Sequence, residues 1–236
     1  MTSKAFPSLT SLPDFDPRRS PVIGIDSHLP PVPREQLSPT ALQRRFHAPP
    51  IWAPEISRER RFVNREPTDA SVLIPIVMRG AAQDQPRVLL TQRTAHLSTH
   101  SGQIAFPGGK VDATDADARA TALREAQEEV GLAAKYVDVI GTLPVYVTGT
   151  AFIVTPVVAL VRPDYELEIN PHEVDDAFEV PLDFLMNPSN HHRHAVEWEG
   201  LRREWFSMPY RNDDEDRFIW GATAGMLRNL YRFLSA

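Results

Sequence analysis

Apolar runs after residue 70, separated by polar turns, predict short strands. Two apolar runs, Ser71–Met78 and Arg87–Gln92, flank a polar turn, so we expect a β-hairpin there. Pro75 lies within the first run and favours an edge strand or a bulge, because proline donates no backbone hydrogen bond. A second pair of strands is expected at Tyr136–Val147 and Ala151–Val161, on either side of a Thr-Gly-Thr turn.

The last third of the chain predicts shorter elements. We expect, in order, an acidic stretch at His172–Phe178, an apolar strand or turn at Val180–Leu182, a short helix beginning in Asp183–Met186, and strands at Glu204–Met208 and Arg217–Trp220. An amphipathic helix, Ala222–Leu234, closes the sequence. Its core stripe contains Met226, Leu230 and Leu234.

Between these regions, the stretch from Ser101 to Leu132 carries the candidate chemistry. It begins with an expected strand, Gln103–Phe106, which Pro107-Gly108-Gly109 ends. Thr114 or Asp115 can cap the helix that follows, with Asp117 in its first turn, where the helix dipole favours an anion. Gly131 suits the left-handed position just after the last helical turn.

Three carboxylates lie close together near the end of this predicted helix. Glu125, Glu128 and Glu129 are three or four residues apart and share one side of a helix, and Arg124 can pair with Glu128. Clustered carboxylates repel one another unless a cation lies among them, and oxygen ligands suit a hard ion such as Mg²⁺. The alternative is a solvated helix face without further function.

The first 69 residues differ in composition from the rest. They contain 12 of the 22 prolines, which favours an extended arm, and we place the domain boundary between residues 69 and 70. One short helix is expected at Ser38–Phe46, with Ser38 as cap and Pro39 in the first turn. Trp52 is expected either to pack on residues 70–236, to contact a second subunit in a homodimer, or to belong to a loosely held arm.

Composition excludes several classes of function. The net charge of −6 argues against a general nucleic-acid surface and against an anionic-membrane anchor. With no cysteine, the chain has neither disulfides nor thiolate zinc sites. The N-terminus has no apolar signal region, so we expect a cytoplasmic protein. His191–His194 invites a zinc hypothesis, but without a fourth ligand a polar loop is preferred.

The order GG…REAQEEVGL resembles the Nudix box, a Gly, five residues, Glu, seven residues, then Arg-Glu-U-x-Glu-Glu-x-Gly-U, where U is aliphatic. The second half matches from Arg124 to Leu132, with Ala126 as a small residue at the aliphatic position. The first half departs: Gly109 precedes Arg124 by one residue more than the box expects, which leaves the roles of Asp112 and Asp115 open. The resemblance implies a Nudix-type α/β/α sandwich with a mixed β-sheet, of the α/β class, plus the proline-rich extension.

A second motif precedes the box. The residues from Leu89 to Gly109 resemble the signature LLTxRSxxLxxHxGxxxFPGG of the coenzyme A pyrophosphatase branch, with Thr94 in place of serine. This resemblance implies hydrolysis of the diphosphate bond of coenzyme A or acyl-CoA to 4′-phosphopantetheine, acylated or free, and adenosine 3′,5′-bisphosphate. A different nucleoside diphosphate derivative, such as ADP-ribose, is the alternative substrate. A Nudix fold that acts only as a ligand sensor is the alternative of another class.

The resemblance also implies roles for individual residues. Glu125, Glu128 and Glu129 would hold Mg²⁺ or Mn²⁺, and Arg124 would orient them. The general base would be Glu128, another box glutamate, or Glu173 from a separate loop. Five further residues are candidates for contact with a small-molecule substrate: Arg93, His100, Gly108, Gly109 and Lys110. Arg93 has a second interpretation as a purely structural ion pair, and His100 as a turn cap.

Overall fold

A computed structural model describes Leu9 and residues 15–60, 66–94, 102–212 and 215–236. The strands are β1 Val22–Ile25, β2 Thr68–Arg79, β3 Gln85–Arg93, β4 Ile104–Ala105, β5 Gly108–Lys110, β6 Val137–Thr142, β7 Tyr146–Val147, β8 Phe152–Val161, β9 Val174–Pro181, β10 His192–Trp198, β11 Leu201–Arg211 and β12 Asp216–Trp220. The α-helices are α1 Pro39–His47, α2 Ala118–Val130, α3 Leu182–Leu185 and α4 Gly221–Leu234, and 3₁₀ turns occur at Arg34–Leu37, Ala134–Tyr136 and Pro188–Asn190. The expected strand residue Gln103 lies just before β4.

The larger sheet is mixed and has β2 near its centre. Strand β2 runs parallel to β8 and antiparallel to β3, which confirms the predicted hairpin. Strands β6 and β7 pair antiparallel with β8, which confirms the second predicted pair. Strand β5, which was not anticipated from sequence, pairs antiparallel with the start of β2, so the two glycines of the Pro-Gly-Gly turn lie inside the sheet.

The expectation that Pro75 marks an edge strand or a bulge is wrong. Strand β2 is flanked on both sides, and Pro75 lies opposite Ala159 in a regular parallel register with β8. On its other side β2 pairs with β5 up to Val72 and with β3 from Ile76 onward. Pro75 falls in the gap between these two pairings, where the absent N–H interrupts neither ladder.

Alternation along the sheet separates two hydrophobic cores. Leu73, Val77 and Leu89 contact the α2 side together with Ala126 of the helix. The neighbouring residues on β2 and β3 face the opposite side, where the core also contains these residues of α4: Met226, Leu227, Leu230 and Leu234. Because side chains along a strand point alternately to opposite faces, one sheet is covered on both sides. The expected α/β/α sandwich is confirmed, as is the core stripe of α4.

A second, antiparallel sheet has the strand order β1-β10-β11-β12. Its strand β10 begins at His192, so the polar loop expected for His191–His194 is wrong. His191 is buried with its Nε2 2.8 Å from the Leu185 carbonyl oxygen, and His194 Nε2 lies 2.8 Å from Ser207 Oγ. Partners within the fold satisfy both imidazoles, so these histidines do not form the zinc site that the tract suggested.

The described part of the arm packs on the rest of the chain. Ser38 Oγ accepts a hydrogen bond from the Ala41 amide, and α1 begins at Pro39, so the predicted helix start is confirmed. Leu37 and Leu42 are buried in the α4-side core, and the rings of Trp52 and Phe233 lie 5.1 Å apart. The alternative that this part of the arm is loosely held is therefore wrong. No helix in the described ranges is long and apolar enough to span a bilayer.

Candidate active site

Helix α2 begins two or three residues later than the predicted caps Thr114 and Asp115 imply. Asp117 is its N-cap and accepts a hydrogen bond from the Ala120 amide at 2.8 Å. The proposed caps have other partners, since Thr114 Oγ1 donates to Asp112 and Asp115 accepts from Arg124. The prediction of Thr114 or Asp115 as cap is wrong because these contacts hold both side chains in the loop before the helix.

The other end of α2 is joined to the loop that carries Glu173. Gly131 adopts the expected left-handed conformation, with φ of 71°. The Glu168 amide donates to the Val130 carbonyl at 3.0 Å, and the Asn170 amide donates to the Glu129 carbonyl at 2.9 Å. These bonds hold residues 168–170 against the helix end, and Glu173 follows immediately before β9. No pattern in the sequence predicts this connection.

Glu129 is the most buried of the three box glutamates, with a side chain that is 4% exposed. Its Oε2 accepts a hydrogen bond from the Gly108 amide at 3.2 Å, and its Oε1 lies 3.5 Å from Nη1 of Arg93. Burial raises the pKa of Glu129 to about 7, although the Gly108 amide and Arg93 oppose this change, and the nearby charges of Glu125 and Glu173 raise it further. This carboxylate is thus held in place by strand β5.

Glu125 lies one helical turn before Glu129 and packs against Gly109. A methyl group built on Gly109 would come within 2.5 Å of the Glu125 carboxyl carbon, so only glycine leaves room for the carboxylate here. Burial raises the pKa of Glu125, and Arg124 opposes the change while Glu128 and Glu173 add to it. Glu125, Glu129 and Glu173 therefore lie close enough to act on one another electrostatically.

Arg124 connects the box glutamates to the preceding loop. Its Nη1 donates to Glu125 and to Glu128, both at 2.9 Å, which confirms the expected pairing with Glu128. Its Nε and Nη2 donate to the two oxygens of Asp115 at 3.0 and 2.9 Å, a bidentate pair that holds the pKa of Asp115 well below its usual range. The role of Asp115, left open by the sequence, is to orient Arg124. Glu128 is the most exposed of the three glutamates, at 55%.

The candidate substrate residues occupy the same region, with one exception. Arg93 ends β3 and pairs with Glu129, as its structural interpretation required, while its side chain remains 25% exposed. Gly108, Gly109 and Lys110 form β5, and the carbonyl of the exposed Lys110 accepts a hydrogen bond from Arg124. His100 lies outside the described residues, as does His96. The Glu173 carbonyl accepts from the Thr94 amide at 3.1 Å, which places the Glu173 loop beside the end of β3.

The donor set of this site suits a hard divalent cation. It offers carboxylate oxygens from Glu125, Glu129 and Glu173. Glu129 is buried, and the nearby charge of Glu173 raises the pKa of both Glu125 and Glu129. Across the described residues, no three acidic or histidine side chains already converge to ligand distances. In this arrangement Arg124 and Arg93 neutralise Glu125 and Glu129, so a cation would have to replace part of that pairing.

Comparisons with known proteins agree with this geometry. A profile of the NUDIX domain matches residues 67–215. The chain is 45% identical over 172 residues to an uncharacterized Nudix hydrolase, NudL, of Shigella flexneri serotype 5b, covering 71% of this chain and 85% of that protein. It is 45% identical over 181 residues to the NudL protein of Escherichia coli strain K12, covering 76% and 88%.

Among solved structures, a MutT/nudix family protein from Enterococcus faecalis is similar with a TM-score of 0.43 and 16% identity, covering 84% of this chain and 71% of that chain. A C. elegans Ap4A hydrolase complex is similar with a TM-score of 0.41 and 20% identity, covering 52% and 85%. The domain profile spans more than half of the sequence, and the NudL relatives are well above the identity at which a family is shared. This chain belongs to the Nudix hydrolase family.

Proposed function

We propose that this protein is a metal-dependent diphosphatase that hydrolyses the diphosphate bond of coenzyme A or acyl-CoA. The products would be 4′-phosphopantetheine, acylated or free, and adenosine 3′,5′-bisphosphate. The observation that carries the proposal is the placement of Glu125 and Glu129 against the Gly108-Gly109 strand, with Arg93 3.5 Å from Glu129. The motif before the box, from Leu89 to Gly109, supports coenzyme A as the substrate.

Glu125 and Glu129 would hold Mg²⁺ or Mn²⁺, with Glu128 contributing from the more exposed side. When bound, the cation supplies charge neutralisation at the phosphate oxygens. Arg93 extends from the end of β3 beside these carboxylates and is suited to bind a phosphate through two parallel hydrogen bonds. Gly108 and Gly109 present backbone without side chains, so a diphosphate can approach β5 closely.

The reaction would proceed by attack of water on one phosphorus atom, in line with the bridging oxygen. The bond between that phosphorus and the bridging oxygen breaks, and the second phosphate leaves. We assign to Glu173 the role of the general base, which accepts the proton of the attacking water. Glu128 is the weaker base candidate, because its carboxylate is already engaged by the Arg124 guanidinium at 2.9 Å. Glu173 comes from a different loop and can approach from the other side.

The test is product analysis by mass spectrometry. Purified protein would be incubated with coenzyme A and with ADP-ribose, each in the presence of Mg²⁺, Mn²⁺ or EDTA. We expect release of 4′-phosphopantetheine and adenosine 3′,5′-bisphosphate that EDTA prevents, with ADP-ribose turned over poorly. The Glu129→Gln variant should lose activity about 100-fold or more, because it loses a charged ligand of the cation. Glu35→Gln, at an exposed position of the arm, is the matched control and should retain activity.

Each other outcome points to a different conclusion. Cleavage of ADP-ribose alone would keep the diphosphatase chemistry and overturn the choice of coenzyme A. A folded Glu129→Gln protein with full activity would overturn the metal assignment. Absence of turnover with either substrate, while the protein still binds one of them, would favour a ligand sensor.

A further inference from the structure

A pocket of about 270 Å³ lies at the end of β3, and part of its wall comes from the N-terminal arm. We call it the arm pocket, and its lining consists of Asp16, Pro17, Arg18, Gln92, Gly102, Gln103, Ile104, Asp216, Phe218 and Trp220. Gln92 follows Val88 and Leu90 in the strand alternation, so it belongs to the sheet face covered by α4. The pocket therefore opens on the face opposite α2.

Backbone hydrogen bonds join the arm pocket to the carboxylate site. The Arg93 amide donates to the Gln103 carbonyl at 3.0 Å, and the Gly102 amide donates to the Arg93 carbonyl at 3.1 Å. The guanidinium of the same Arg93 lies 3.5 Å from Glu129. The pocket and the carboxylates are thus both joined to Arg93 at the end of β3.

The lining favours a flat, uncharged heterocycle. The Arg18 guanidinium lies over the Phe218 ring, 5.4 Å from its centroid, and Trp220 follows on the same face of β12. Aromatic and guanidinium planes of this kind stack with nucleic acid bases. Asp16 and Asp216 add two negative charges against the single positive charge of Arg18, which disfavours a phosphate or carboxylate group. Carboxylate oxygens instead accept hydrogen bonds from amino groups on a ring.

The floor of the pocket is held in place from behind. Arg217 is buried, donates to Gln92 Oε1 at 2.8 Å and pairs with Asp176. It also donates to Glu215, just before Asp216 of the pocket wall. Gln92 and Asp176 face each other across the β3–β9 ladder, so Arg217 ties two strands together under the pocket. Another concavity, about 700 Å³ between α1 and β6, includes none of the candidate site residues.

We propose that the arm pocket binds the nucleobase of a substrate whose diphosphate lies at the carboxylate site, with Phe218 and Arg18 stacking on the base. This assignment rests on the proposed function for the position of the diphosphate. It gives the N-terminal arm a role in substrate selection, because Asp16, Pro17 and Arg18 complete the pocket.

Binding can be measured without turnover. Full-length protein in EDTA would be titrated by calorimetry with adenosine 3′,5′-bisphosphate and, separately, with 4′-phosphopantetheine. We expect Arg18→Ala and Phe218→Ala to weaken binding of the bisphosphate about tenfold or more and to leave binding of 4′-phosphopantetheine unchanged. Arg44→Ala removes an exposed guanidinium of the arm outside the pocket and should bind both ligands as the unmodified chain does.

The proposal fails if the unmodified protein does not bind the bisphosphate, or if both variants bind it normally. It also fails if the variants lose binding of 4′-phosphopantetheine instead of the bisphosphate, because the pocket would then bind the other half of the substrate. Arg18 is half exposed in the arm, so the Arg18→Ala variant should fold normally. A loss of binding in this variant therefore reports on the pocket and not on the stability of the fold. Absence of coenzyme A cleavage together with the expected binding losses would overturn the proposed function and leave the base pocket standing.

Discussion

The carboxylate of Glu125 occupies the space beside the Cα of Gly109 that any other residue would fill with its Cβ. A methyl group at Gly109 would lie 2.5 Å from Cδ and Oε1 of Glu125 and 2.6 Å from Oε2. The neighbouring Gly108 is restricted in a different way, because its Cβ would meet the Ser71 carbonyl oxygen at 2.5 Å. One glycine thus makes room for a functional side chain, and the other makes room for the backbone of β2.

Gly109→Ala should reduce catalysis while preserving the fold. The added methyl group displaces the end of a flexible side chain, so Glu125 moves by about 1 Å, and misplacement of this size costs about 100-fold in rate. The rate would be measured with coenzyme A at saturating Mg²⁺, alongside thermal unfolding. Gly24→Ala is the control, since nothing lies within 4 Å of the position where its Cβ would be. Equal activity of the two variants would contradict the tight placement of Glu125.

Glu173→Gln should lower kcat more than Glu128→Gln does. Loss of a general base costs roughly 100-fold to 10,000-fold, whereas Glu128 is largely exposed and already paired with Arg124. The measurement is kcat of each variant with coenzyme A at saturating Mg²⁺. A larger loss for Glu128→Gln would transfer the role of base to the helix.

The local parts of this structure were predictable from the sequence. The cap at Ser38, the left-handed Gly131 and the positions of Glu125 and Glu129 on one helix follow from residues within a few positions of each other. The hairpin of β2 and β3 follows from two apolar runs and the turn between them. Each of these signals is a short-range one, so tertiary contacts did not overrule it.

The elements that the sequence predicted wrongly depend on distant partners. Strand β10 has a polar sequence, yet it is fixed by pairing with β11 and by the buried contact of His194 with Ser207. Pro75 is tolerated because β3 and β5 pair with different parts of β2. The pair between Asp115 and Arg124 has a local signal, an acidic residue six positions after Gly109, but its geometry needed the folded loop.

Arg124→Lys should reduce activity about tenfold or more, although the charge is retained. The guanidinium donates to Asp115, Glu125 and Glu128 at once, and an ammonium group cannot reproduce the bidentate contact with Asp115. Residues that orient metal ligands typically contribute 10-fold to 100-fold. The readout is the Mg²⁺ concentration needed for half-maximal activity, which should rise. Arg119→Lys, on an exposed turn of the same helix, should leave that concentration unchanged.

The stability of the fold should depend on pH through His191. Its Nε2 bonds to the Leu185 carbonyl oxygen and its Nδ1 lies 3.1 Å from Arg228, so the buried ring is neutral. Burial lowers the pKa of His191 from 6.5 to about 4, and the charge of Arg228 lowers it further. Below pH 6.5 the unfolded chain binds a proton that the folded chain does not bind until about pH 4. The free energy of unfolding therefore decreases as the pH falls below 6.5, and the contribution of His191 to this decrease is about 2 kcal/mol at pH 5.

His191→Gln separates this effect from other titrations. Glutamine can donate to Leu185 and accept from Arg228 but does not titrate. The free energy of unfolding of the His191→Gln variant should therefore fall about 2 kcal/mol less between pH 7.5 and pH 5 than that of the unmodified protein. The raised pKa of Glu129 acts in the opposite direction, because the folded state binds its proton first, but it contributes equally to both proteins and cancels in the difference. Urea unfolding at the two pH values measures this difference, and His172→Gln, at an exposed position, should behave like the unmodified chain. Parallel pH dependence in the His191→Gln and unmodified proteins would mean that His191 takes up its proton over the same pH range in the folded and unfolded chains, in conflict with its burial and its contact to Arg228.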